Sequence, residues 1–381
     1  MTVEQIPSLL YSPIEDDLRS SVRSVLADHA SWQSVLALTE SVATVDQTLW
    51  RVLADEVGVT GLAIAEEHGG AGASWRETAV VLEELGRAVA PVPFLGSSVF
   101  STALLLGLRV DDLLESVASG TRVAAVVVSA AQQVPRAHRS AILVGDSASA
   151  HVPGVLDALT ADILLIPTAA GDIVAVEASD PGVRITPVVS LDMTRQLADI
   201  RVDGASARLL GRGTAASSAL STAWTITAAL LASEQLGVAE WCLEAGVGYL
   251  KERRQFGQLI GSYQALQHRC ADLWVEIAQA RAVARYAAAC AAEGSGDLEI
   301  AAALAQSVCS EVAVSAAEIC VQLHGGIGFT WEFPAHLYLK RAKSAALVLG
   351  AADGHRARLG GLIDLTPADA PGSAHPAEEP S

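Results

Sequence analysis

Tyr249-Leu-Lys-Glu-Arg-Arg-Gln-Phe-Gly-Gln-Leu-Ile-Gly-Ser-Tyr-Gln-Ala-Leu-Gln-His-Arg-Cys-Ala-Asp272 is the stretch that decides how this chain is built. It joins the end of one helical pattern to the start of the next through a turn at Gly257. Before it, Leu220, Trp224, Thr227, Leu231, Val238, Trp241 and Ala245 step by threes, fours and a seven. After it, Leu266, Cys270, Leu273, Ile277, Ala280 and Ala284 do the same, and so do Leu304, Val308, Val312, Ile319 and Leu323. Apolar residues at these intervals share one face of a helix. A fourth helix is expected over about 334–362. Four long helices joined by short glycine-containing turns predict a bundle over 212–365.

Upstream, residues 121–211 change character. Short β-rich runs appear at 123–128, 141–144, 163–166, 173–176 and 196–202, with Gly, Asp and Pro between them. That punctuation predicts a small antiparallel barrel or sandwich. Residues 129–139 hold no clear element. Residues 1–120 read as helical again, with apolar spacing at 18–26, 50–57 and 78–85. A loop, Glu66-Glu67-His68-Gly69-Gly70-Ala71-Gly72, separates the last two, and Ala90-Pro91-Val92-Pro93 ends another helix. Over 366–381 the Pro, Ala, Ser and Glu composition predicts a disordered tail. The expected fold is mainly α with a middle β domain.

The 381 residues are 51% hydrophobic, enough for two or three packed units. No apolar run reaches the roughly 18–20 residues of a membrane helix. Ser, Thr and Trp interrupt the nearest candidate, 216–231, which reads as a buried helix. The opening residues are acidic where a secretory signal is basic and apolar, so a cytoplasmic location is expected. A net charge of −18 without a basic stripe argues against nucleic acid. Phosphates must then be met by a few local arginines and helix N-termini. Cys242, Cys270, Cys290, Cys309 and Cys320 fall inside helical patterns with no CxxC pair. They read as core residues in a reducing compartment, and no metal site is expected.

Gln322-Leu-His-Gly-Gly-Ile-Gly-Phe-Thr-Trp-Glu332 is the second informative stretch. Together with the first it resembles the acyl-CoA dehydrogenase family. Trp50-Arg-Val-Leu-Ala, Glu67-His-Gly-Gly-Ala-Gly and Ser190-Leu-Asp-Met-Thr-Arg195 extend the resemblance across most of the chain in the family's order. It implies an N-terminal helical domain, a middle β domain and a C-terminal four-helix domain. It also implies FAD as cofactor, an acyl-CoA substrate, an electron-transfer protein as acceptor, and a dimer or tetramer with FAD across a subunit interface. By the same resemblance Arg253 reaches the FAD pyrophosphate of the neighbouring subunit, where a planar guanidinium suits a bidentate contact. Phe256 packs on the adenosine or ribityl part, and Gln264 hydrogen-bonds nearby. Gly325 and Gly326 let the backbone approach a phosphate or adenine with no Cβ in the way, and Gln322 and His324 just before them strengthen the FAD reading. Outside that context Arg253 is a solvated charge and the glycines are a helix C-cap. His324 is equally a structural turn residue and is given no catalytic role.

Dehydrogenation needs a carboxylate for the α-proton and flavin N5 for the β-hydride. The family places its Glu in a Tyr-Glu-Gly turn after an Ala-Lys, or directly before an Arg early in the first C-terminal helix. Counted from Ala342-Lys343, the first slot holds Val348-Leu349-Gly350. Counted back from Arg253, the second falls at Thr227-Ala228. Neither has a carboxylate, so the base is unknown. Glu234, two turns beyond Thr227 on the same helical face, is the carboxylate of that helix nearest the site. A polar bond across the bundle is its alternative role. The flavin-facing stretch reads Val128-Ser-Ala-Ala-Gln-Gln-Val-Pro135, where most members carry an aromatic–Thr–Glu–Ala–Gly–Ser pattern.

Some bacterial members are mixed pairs. One subunit supplies the base and the other keeps the fold and the diphosphate motifs; such pairs resemble enzymes of bulky acyl-CoA esters, steroid side chains included. The expectation is a subunit of this second kind, acting in FAD-dependent α,β-desaturation of an acyl-CoA thioester. A self-sufficient homo-oligomer with an atypical base and a structural subunit without flavin are the alternatives.

Overall fold

The computed structural model describes residues 8–41 and 45–365, so the expected tail lies outside the described residues. Helices α1 (Pro13–His29), α2 (Trp32–Thr39), α3 (Gln47–Arg51), α4 (Trp75–Arg87), α5 (Thr102–Leu108) and α6 (Asp111–Ala118) come first. Ser12 with Glu15 and Ser74 with Glu77 form capping boxes that start α1 and α4. The pattern around Trp50 continues from α3 into a π-helical turn at Val52–Glu56. A second π-helical run, Phe94–Ser101, leads into α5 and has no counterpart in the sequence reading.

Strands β1 (Ala124–Val126), β2 (Ile142–Val144), β3 (Ser147–Leu156), β4 (Ile163–Pro167), β5 (Ile173–Glu177), β6 (Val183–Pro187) and β7 (Leu197–Gly211) form one sheet. Its order is β1-β4-β5-β7-β3-β2, with β6 also on β7. β1 and β4 run parallel, which corrects the all-antiparallel expectation; the other pairs are antiparallel. The first part of β7 pairs with β3 and β6, and its last part pairs with β5. A bridge from Ser129 to Val155 brings the chain after β1 back onto β3 and closes the ring. Val127, Val152, Leu164, Val174 and Ile200 fill the interior. β3 and β6 are additions to the sequence reading. β3 opens on Ser-Ala-Ser-Ala, whose small side chains hide the alternation that buries Ala148, Ala150 and Val152.

The C-terminal part holds α7 (Gly213–Glu252), α8 (Gln264–Glu293), α9 (Leu298–His324), α10 (Ala335–Ala345) and α11 (Ala352–Leu362). A hairpin of β8 (Arg254–Gln255) and β9 (Gln258–Leu259) links α7 to α8. By length and composition α7 and α9 could cross a bilayer, but most of each such stretch is buried inside the protein. The expected fourth helix is two helices. Leu349 at φ 62° and Gly350 at φ 105° lie in the left-handed region, through which a right-handed helix cannot continue. Two glycines let α4 cross α7 at backbone contact. A Cβ on Gly86 would stand 2.2 Å from the Glu234 carbonyl oxygen, and one on Gly237 would stand 1.9 Å from that of Glu83. The crossing pins the middle of α7 beneath the N-terminal helices.

Candidate functional site

Arg253 caps α7, and its N–H donates to the Tyr249 carbonyl at 2.9 Å. Phe256 (φ 52°) and Gly257 (φ 79°) form the tip of the hairpin that follows. Two successive left-handed residues are what a tight hairpin turn requires. The Phe256 ring is 89% exposed. Gln264 opens α8, and Gln322 lies near the end of α9, which Gly325 caps at φ 60°. Arg253, Phe256, Gln264, Gln322, Gly325 and Gly326 are all exposed. The ends of α7 and α9 meet through His324, whose ring packs against Tyr249.

An FAD diphosphate fits this edge. No heavy atom lies within 4 Å of where a Cβ would stand on Gly257, Gly325 or Gly326. Arg253 makes no ion pair among the described residues. An open glycine backbone and an uncommitted guanidinium at the adjoining helix ends are the donor types a diphosphate takes.

The position of the family's base is built differently. Leu349 is 1% exposed. Its N–H donates to the Ala130 carbonyl at 2.7 Å, and the Ala130 N–H donates to the Gly154 carbonyl at 2.9 Å. The Leu349 carbonyl accepts from Nε2 of His355 at 3.0 Å. Burial holds that imidazole below the usual histidine range. The Gln133 side chain lies on the same turn. A Cβ on Gly350 would stand 2.6 Å from Gln133 Oε1, and one on Gly354 2.1 Å from it. Two glycines thus make the seat for one amide. The stretch expected to face the flavin and the turn expected to carry the base are bonded directly to each other. Sequence reasoning missed Gln133. The available signal was the pair Gly350 and Gly354, opposite a stretch that departs from the family pattern. The second candidate slot is also closed: Thr227 is fully buried and its Oγ1 donates to the Ala223 carbonyl at 2.6 Å.

Glu234 is 2% exposed. One carboxylate oxygen takes Arg195 Nη2 and the other takes Arg341 Nη1 at 3.0 Å. Arg341 also donates through Nε to Asp192 at 2.7 Å, and through Nη2 to the Thr194 carbonyl at 3.0 Å and its Oγ1 at 2.7 Å. A general base must aim a free lone pair at the substrate. Both Glu234 oxygens accept from guanidinium groups, which favours the polar bond across the bundle over the role of base.

Asp157 lies within the electrostatic reach of this cluster. It sits at φ 54° and accepts the Gly96 N–H at 2.9 Å. Burial pushes its carboxyl up to about 6, against the pull of Arg195 and the Gly96 N–H. The folded value lies above the ordinary 3.8, so the folded chain holds this proton more tightly than the unfolded one. The cost of Asp157 to stability is therefore full above about pH 7, begins to fade as pH falls through 6 and is gone only below about pH 4. Asp157→Asn keeps an acceptor for Gly96 and suits a left-handed backbone. It is expected to stabilise the chain by on the order of 1–3 kcal/mol at pH 7.5, by about half as much near pH 5 and by much less near pH 4. Urea unfolding at these pH values checks this; a loss at pH 7.5 would mean that the ionised carboxylate is needed beside Arg195.

Comparison with known proteins bears on the same residues. The acyl-CoA dehydrogenase C-terminal domain family matches residues 211–361, and the N-terminal domain family matches residues 12–107. The acyl-CoA dehydrogenase IpdE2 of Mycolicibacterium smegmatis is 37% identical over 334 residues, covering 87% of this chain and 93% of that protein. Its namesake from Mycobacterium tuberculosis is 38% identical over 338 residues, covering 87% and 92%. Among solved structures, a variant of the Tcur3481-Tcur3483 steroid ACAD superposes with a TM-score of 0.82 at 32% identity, covering 92% of this chain and 98% of that one. The ChsE4-ChsE5 complex from Mycobacterium tuberculosis superposes at 0.85 and 27% identity, covering 95% and 100%. With both terminal domains matched and relatives covered nearly end to end, this chain belongs to the acyl-CoA dehydrogenase family of flavoprotein oxidoreductases.

Proposed function

We propose that this chain is the subunit of a heteromeric acyl-CoA dehydrogenase that lends the diphosphate edge of an FAD site, while a partner subunit supplies the flavin pocket and the catalytic glutamate. The observation that carries this reading is the bonded cleft: Leu349 on Ala130, with Gln133 seated on Gly350 and Gly354. A chain whose own base position is leucine and whose own cleft is filled by its own side chains contributes to catalysis from its open edge. Two of the similar structures are named as pairs of proteins, one of them a steroid enzyme. A bulky acyl-CoA ester, with a steroid side chain among the candidates, is the substrate class we favour. Phe256, Trp274, Phe329 and Trp331 are large exposed apolar side chains that a partner subunit would cover. A separate electron-transfer protein would reoxidise the flavin.

Bound FAD would supply hydride acceptance at N5. For this chain's part, Arg253 would neutralise diphosphate charge, Gly325 and Gly326 would admit the backbone to close range, and Phe256 would cover the adenosine side. The purified chain alone is expected to show little dehydrogenation of saturated acyl-CoA esters with an artificial acceptor. Adding a Glu-bearing partner subunit should raise turnover by about 10²–10⁴-fold, the usual worth of a general base. Ordinary turnover by the chain alone would refute the heteromeric reading. Arg253→Ala removes a charge-assisted bond of roughly 1.5–3 kcal/mol and should lower FAD retention in the assembled protein about tenfold or more, with the fold intact. Unchanged flavin content would return Arg253 to a solvated charge.

A further inference from the structure

Resting on the FAD reading above, we propose that His324 is a positioning residue that holds the two halves of the diphosphate edge in register. The halves come from different helix ends: Arg253 and the hairpin from α7, Gly325 and Gly326 from α9. Among the described residues no hydrogen bond or ion pair joins Arg253 to the glycine turn. Besides the apolar packing of Leu323 beside Gly246, what joins them is the His324 ring. His324 is 3% exposed and packs at a 31° tilt against Tyr249, one turn before Arg253, with centroids 4.4 Å apart. Its other face meets Phe333, beyond the turn, at 4.0 Å. Its Nδ1–H donates to the Cys320 carbonyl at 2.7 Å, which fixes the ring's rotation at the end of α9. Nε2 is buried without a partner. An unpaired buried nitrogen is unfavourable, so the ring is retained there by its faces. The stack continues from Phe333 to Trp241 at 6.2 Å and on to Tyr338 at 3.5 Å, and Tyr338 donates to the Arg87 carbonyl at 2.6 Å. The glycine turn is therefore referenced to the packed interior, and the end of α7 is referenced to the same stack. A bidentate diphosphate contact depends on that spacing.

The test is FAD titration, followed by flavin fluorescence, into the protein assembled with its partner subunit and stripped of flavin. Arg253→Ala is expected to weaken FAD binding about tenfold when His324 is present. In a His324→Ala background the same change should cost about twofold or less, because the guanidinium no longer meets a diphosphate held by the turn. His324→Phe keeps a stacking ring and should preserve the full Arg253 effect. Tyr249→Leu removes the other side of the stack and should reproduce His324→Ala, which covers the case that His324→Ala does not fold. An undiminished Arg253 effect in either background would overturn the positioning role, since a merely structural histidine changes stability without coupling to Arg253. No effect of Arg253→Ala in the unmodified protein would remove the FAD reading, and the proposal with it.

Discussion

Leu349→Glu is expected to leave the isolated chain inactive and to destabilise it by roughly 1–3 kcal/mol, the scale of a buried polar group left unpaired. From the sequence this substitution is the direct way to rebuild the base, because Gly350 already stands beside it. The structure changes that expectation. The side chain at 349 is 1% exposed, and Gln133 occupies the adjoining space. The nearby imidazole, His355, already donates to the Leu349 carbonyl. Burial raises the pKa of a carboxyl placed there until it is protonated. A protonated acid cannot take an α-proton. Urea unfolding and a dehydrogenation assay with an artificial acceptor check both halves. Native stability together with turnover would show that the cleft opens to substrate and that the heteromeric reading is wrong.

Glu234→Gln has the second large expected effect. Removing one charge from the Arg195–Glu234–Arg341–Asp192 cluster leaves two guanidinium groups facing a single carboxylate in the interior. Arg195 Nη1 already has no partner there. Breaking a buried pair by removing one member typically costs about 3–5 kcal/mol. The variant is expected to lose stability on that scale, and any activity of the assembled enzyme should fall only as far as folded protein is lost. If Glu234 were the base, stability would hold and turnover would vanish. Chemical denaturation paired with turnover per folded molecule separates the two.

The sequence carried the existence of the long helices well. Leu304, Val308, Val312, Ile319 and Leu323 all lie on α9, and the diphosphate candidates all lie at exposed helix ends or on the hairpin between α7 and α8. It carried less where small residues or long-range pairs decide the structure. β3 was hidden because alanine and serine give a weak alternation signal. The break between α10 and α11 was hidden because a non-glycine residue, Leu349, takes the left-handed conformation. Asp192 and Arg195 were visible in a family motif, but their partners on α7 and α10 are far away in sequence, and no local periodicity encodes such a pairing. Gln133 fits only because positions 350 and 354 lack side chains, a match that exists only once the barrel and the bundle are docked.

Arg341 gives the molecule a particular way of coming apart. Its donors end on the carbonyl of Ala90, on Asp192 and Thr194, and on Glu234. Those acceptors belong to the N-terminal helices, the barrel and α7. If any one of the three is peeled away, a fully buried guanidinium loses part of its shell while the rest still shields it from water. Partly undocked states are thereby penalised more than either the complete structure or the fully open chain. The shared guanidinium thus favours melting of the three architecturally distinct parts together, and a fragment cut between them loses part of that shell.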